Sequence, residues 1–175
     1  MTRDQILSVL KAAINPDQLR QAFKGLAFKL HPDVGGNTRS MQDLLAVYEQ
    51  LMRAFSGKTF HRKSTTGEQT EYKYSYNETA ENEFTTKLSE TIAVMPNTVT
   101  IEVRGSWIWI HGETKPVKDR IKELGYFWKA SDAEWYWRSS DQKKKFRGYR
   151  SKTRDEIRAS YGSSMHSGAQ QAVKH

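Results

Sequence analysis

The chain has 175 residues, a mean hydropathy of −0.79, 28 Lys and Arg against 20 Asp and Glu, and no cysteine. That length fits one ordinary domain or two small ones, the formal charge of +8 points to an acidic partner, and the missing thiols exclude a disulfide framework, a thiolate zinc site and a cysteine nucleophile. No apolar run approaches the ~20 residues of a membrane span, and the start is amphipathic with Arg3 and Asp4, so the sequence reads as soluble and cytoplasmic with no membrane partner.

A short helix is expected from Asp4 to Ala13. Leu19, Ala22, Phe23, Leu26, Ala27 and Leu30 then recur at spacings of three and four, one face of a second helix that Pro16 and Asp17 can open and Pro32 must stop. Met41, Leu44, Leu45, Tyr48, Leu51, Met52 and Phe55 repeat the pattern in a third, with Asn37 or Thr38 as its cap and Gly57 as its end. Two apolar stripes joined by a short polar loop pack antiparallel. The loop carries His31-Pro32-Asp33, followed by Val34-Gly35-Gly36-Asn37.

Residues 1–56, with LRQAFKGLAFKLHPD, the glycine pair and LLAVYEQLM, resemble a J-domain, the module by which DnaJ-type co-chaperones engage DnaK-type chaperones. The resemblance implies that His31, Pro32 and Asp33 press on the ATPase domain and interdomain linker of that partner. It also implies that the basic residues of the second helix, here Arg20, Lys24 and Lys29, meet an acidic patch. Family members often carry a basic residue where this chain has Gly25, and a Lys where it has Val34; both departures remove positive charge.

Residues 57–76 are rich in Ser, Thr, Gly, Lys and Tyr without apolar periodicity and read as a linker, although Tyr72, Tyr74 and Tyr76 alternate as in a one-faced strand. From Asn77, the spacing of Ala80, Phe84, Leu88 and Ile92 predicts a helix running toward Pro96. Val99, Ile101 and Val103 alternate with polar residues, and Gly105-Ser106 turns the chain into Trp107-Ile108-Trp109-Ile110, a β-hairpin. Thr114 and Pro116 open a helix with Val117, Ile121 and Leu124 on its apolar face, and Gly125 ends it. Tyr126-Phe127-Trp128 and Trp135-Tyr136-Trp137-Arg138 predict a second hairpin. The expected class is therefore α+β: a helical hairpin over residues 1–56, a linker over 57–76, an αββαββ module over 77–161, and a mobile tail over 162–175.

The stretch GSWIWIHGETKPVKDRIKELGYFWKASDAEWYWR resembles the C-terminal module of DnaJ-like proteins of phages and other mobile elements, and is distantly similar to the HARP-type module of some DNA-annealing helicases. Its residues carry a reading of their own. All five Trp lie between positions 107 and 137, interleaved with Lys115, Lys118, Lys122, Lys129 and Arg138. Alternation puts Trp107 and Trp109 opposite Ile108 and Ile110, so one sheet face packs on helices and the other is left aromatic. With Trp137 and Arg138 these side chains are candidates for a platform for unpaired bases, the alternative being core filler in a sheet with few aliphatic residues, while Trp128 and Trp135 are expected in the core. Lys143, Lys144, Lys145, Arg147, Arg150, Lys152, Arg154 and Arg158 are candidate phosphate contacts. Lys and Arg stand 7 to 5 against Asp and Glu in residues 1–56, 5 to 6 in 57–98, and 16 to 9 in 99–175, which locates the positive excess in the C-terminal part.

His31, His61, His111, His166 and His175 show no metal-site spacing and no phosphate-cradling glycine loop is present, so neither catalysis nor a cofactor is expected. The expected function is a co-chaperone that stimulates ATP hydrolysis by a DnaK-type partner, with a C-terminal module for a client or single-stranded nucleic acid. The alternative is a nucleic-acid-binding or host-protein-interacting factor that uses the J-like segment as a scaffold.

Overall fold

The computed structural model describes residues 1–63, 67–145 and 152–168, with only the main chain of 143–145. Three helices come first: α1 (Arg3–Lys11), α2 (Pro16–Leu30) and α3 (Thr38–Phe55). Each is started by a side chain that accepts from the first turn, Thr2, Asn15 and Asn37 in order. Pro32 ends α2 as expected, and the glycine pair has two distinct reasons. Gly35 has φ +95°, and a Cβ at Gly36 would come within 2.1 Å of the Leu30 carbonyl.

The remainder mixes strands and helices. β1 (Thr59–Lys63) and β2 (Gln69–Lys73) form an antiparallel hairpin, followed by α4 (Glu78–Val94). Then come β3 (Val99–Arg104), β4 (Trp107–Gly112), α5 (Lys118–Glu123), β5 (Phe127–Lys129), β6 (Glu134–Trp137), α6 (Arg154–Tyr161) and β7 (Ser164–Ser167). The five-stranded antiparallel sheet has the order β5-β6-β4-β3-β7. The chain is thus α+β, with six helices and seven strands among the described residues.

Strand alternation sorts the sheet into two faces. Val99, Ile101, Val103, Ile108, Ile110, Trp135 and Trp137 turn inward, where they join Phe23, Leu26, Phe84, Leu88 and Ile92 of α2 and α4 in one core that also takes in Ile6, Leu44 and Met52. The other face carries Glu102, Arg104, Trp107, Trp109, Glu134 and Tyr136, with α6 against its β3 side.

Three expectations require correction. Residues 57–76 are not an open linker: they hold the β1–β2 hairpin, whose Phe60 and Tyr72 rings lie 5.8 Å apart and whose Arg62 sits 3.8 Å over Tyr72 and donates to Asp17 at 3.1 Å. Of the alternating tyrosines only Tyr72 lies in β2; Tyr74 and Tyr76 follow it. The tail expected to be mobile from residue 162 instead adds β7 to the sheet edge, paired with β3 from Thr100↔Ser167 to Val103↔Ser164; residues 169–175 lie outside the described set. Its Ser- and Gly-rich composition gives no apolar alternation, because one of its faces meets α2 through His166 rather than through aliphatic groups. Finally, Trp128 is 48 % exposed rather than in the core, on the edge strand β5.

Candidate functional site

The loop between α2 and α3 holds His31-Pro32-Asp33. Pro32 opens a short 3-10 turn, and Pro32 and Asp33 face outward. His31 does not. Its ring is buried against α4, with Nε2 2.7 Å from Ser89 Oγ and Nδ1 accepting from the Asp33 N–H at 3.2 Å. The proximity of Ser89, His31 and Asp33 resembles a nucleophile–base pair only in outline. Because Nδ1 accepts, Nε2 carries the proton and donates to Ser89, the reverse of what a base acting on that hydroxyl needs, and the Asp33 carboxylate is 3.9 Å from Nδ1. His31 is an anchor that fixes the loop to α4.

Of the expected docking cations, only Lys29 is exposed. Arg20 is 6 % exposed and donates to Glu81 and to Asp17; burial works against its charge, but Glu81, Tyr48 and Asp17 outweigh it and raise its pKa. Lys24 is fully buried, with Nζ donating to the Ile101 carbonyl at 2.9 Å and to that of Ser164. Burial lowers it to about 7, with Glu102 pulling the other way. The same side of α2 stacks Phe28 on His166 at 5.0 Å, donates from Gln21 to the Tyr161 carbonyl, and leaves space at Gly25, where an added Cβ would lie 3.9 Å from His166.

The second sheet face corrects the expected platform in a similar way. Trp109 is 2 % exposed, beneath Trp107 at 5.8 Å and Tyr136 at 5.5 Å, with the Arg104 guanidinium 4.6 Å from its ring. Trp137 turns to the opposite, core face, so it cannot share a surface with Trp107; its edge and Arg138 line an open groove of about 600 Å³ against Glu83, Lys87 and Glu90 of α4. Trp107 is half-buried, with Arg138 5.6 Å from its ring. Lys115, Lys118 and Lys122 are exposed on α5 and the turn before it. Arg147, Arg150 and the side chains of Lys143, Lys144 and Lys145 lie outside the described residues.

Sequence reading missed a buried charge cluster on this face. Glu102 and Glu134 are fully buried; Arg104 bridges them, Arg154 reaches Glu134 at 2.9 Å, and Arg158 grips Glu102 with two 2.8 Å bonds. Burial pushes the Glu102 carboxyl up, but the bonds from Arg158, His111 and Arg104 hold it far below the carboxylate range. Glu102, His111 and Glu134 lie close enough together to hold a metal ion. Their oxygens are already taken by three guanidinium groups, so a cation would have to displace an arginine. The cluster clasps α6 to the sheet. Its only sequence signal, Glu102 and Arg104 alternating with Ile101 and Val103, is indistinguishable from a solvated strand face.

Comparisons of the chain with protein-family models, with curated proteins and with solved structures return no match.

Proposed function

We propose that this protein is a non-catalytic co-chaperone of the DnaJ type that engages a DnaK-type ATPase through the loop between α2 and α3 and stimulates its ATP hydrolysis. The observation that supports the reading is the loop itself: Pro32 and Asp33 are exposed between α2 and α3, on a short turn that holds Gly35 at positive φ and is tied to α4 by the buried His31. An exposed loop anchored from beneath suits recognition by contact. Docking charge falls to Lys29, because Arg20 and Lys24 serve the interior.

Single-turnover ATP hydrolysis by a bacterial DnaK-type chaperone tests this. The chain should accelerate hydrolysis, Asp33→Asn should abolish the acceleration with circular dichroism unchanged, and Lys29→Ala should raise the concentration needed for half-maximal effect several-fold. Equal acceleration by wild type and Asp33→Asn would refute the proposal.

A second reading, a nucleic-acid-binding or host-protein-interacting factor with a helical scaffold of J-like sequence, is favoured by one set of facts: His31, Arg20 and Lys24 all face inward. No acceleration by the wild type, in a chain that is folded, would select it.

A further inference from the structure

The C-terminal part of the chain is cationic: residues 99–175 carry 16 Lys and Arg against 9 Asp and Glu. Within residues 99–175, Arg104, Lys129, Arg154 and Arg158 are paired with Glu102, Asp132 and Glu134. A polyanion is the complementary partner.

The exposed rings say which polyanion. At the sheet edge, Phe127 is 52 % and Trp128 48 % exposed, one on each face of β5. Neither is a loose side chain. Phe127 is backed by Tyr136 at 5.8 Å, in ring contact in turn with Trp107 at 5.5 Å, and Trp128 is backed by the buried Trp135 at 5.1 Å. Each exposed ring is held in place by a partner one strand inward. Such rings cost little to order on binding, and they offer flat apolar area to a flat apolar ligand. Lys118 and Lys122 lie on α5, which reaches β5 through Leu124, Gly125 and Tyr126, and bring exposed ammonium groups next to the same edge in sequence. Paired bases in a duplex hide their faces; only an unpaired strand presents both base faces and phosphates together.

We propose that the β5 edge binds single-stranded nucleic acid, with bases stacking on Phe127 and Trp128 and phosphates meeting Lys118 and Lys122. The site deepens the part of the functional reading that concerns the C-terminal module, and it stands whether or not the chain stimulates an ATPase.

The test is fluorescence anisotropy of a labelled oligodeoxythymidine of about 12 nucleotides, and its oligouridine counterpart, titrated with the full chain over a salt series. Binding should weaken steeply with salt and resist competition by duplex of equal length. Phe127→Ala with Trp128→Ala should weaken it about tenfold or more, whereas Phe127→Trp with Trp128→Phe should retain it. ATPase stimulation, read on the same samples, should be equal in all three proteins. Undiminished binding by the double alanine variant would overturn the proposal. So would absence of oligonucleotide binding together with ring-dependent self-association or capture of an unfolded polypeptide.

Discussion

Glu81→Ala should destabilise the folded chain by about 3–5 kcal/mol, the cost of leaving a buried charge without its partner. Glu81 is 6 % exposed on α4 and accepts from three side chains on three other segments: Arg20 of α2 through two nitrogens, Tyr48 of α3 at 2.7 Å, and Tyr74 after β2 at 3.1 Å. Truncation strands the Arg20 guanidinium in the core with Asp17 alone, and Asp17 is shared with Arg62. Two hydroxyls lose their acceptor as well. Urea denaturation followed by circular dichroism reads the effect as a lower midpoint; a midpoint within error of wild type would show that the cluster contributes nothing net. Tyr48→Phe removes one bond and leaves the ion pair, so it should cost about 1 kcal/mol.

The second large effect is a pH dependence centred on Lys24. Its folded-state pKa of about 7 lies well below that of an exposed lysine. Between about pH 7 and pH 10 the unfolded chain therefore binds a proton that the folded chain does not, and stability from this group rises with pH. Below that window both states are protonated and the burial penalty is constant. The groups facing Lys24 are the carbonyls of Ile101 and Ser164, with Glu102 and His166 acting through charge. Lys24→Met removes the titration, so the stability of wild type relative to this variant should climb by a few kcal/mol from pH 7 to pH 10. Taking the difference cancels the buried tyrosines Tyr48, Tyr74 and Tyr126, whose raised pKa values act at higher pH in both proteins. A flat difference across the window would mean that Lys24 stays charged on its two carbonyls.

Much of the architecture was legible because periodicity reports burial directly. The stripe from Leu19 to Leu30 and the one from Met41 to Phe55 became α2 and α3, Asn77 caps α4, and both Trp-containing hairpins formed where alternation placed them. What escaped was polar burial. Arg20 and Lys24 stand four residues apart on a helix side that looks solvated, and nothing in their own segment foretells Glu81 or the Ser164 carbonyl, 61 and 140 residues away. The site shared this fate. His31-Pro32-Asp33 was found by its spacing, yet which of the three faces outward depended on Ser89, a residue with no signal at all. On the sheet, alternation assigned Trp107 and Trp109 to one face correctly, but could not tell the covered ring from the half-covered one, because the cover comes from Arg104 and Tyr136 across the strands.

The bond from Lys24 to Ser164 also sets an order of events at the ribosome. Its two ends are separated by 140 residues, so at ~5–20 residues per second the helix is made about 7–28 seconds before the strand that covers it. Throughout that interval the Lys24 and Phe28 side of α2 stays wet, the lysine keeps its ordinary basicity, and the nascent chain presents a cationic helix that the finished molecule withdraws.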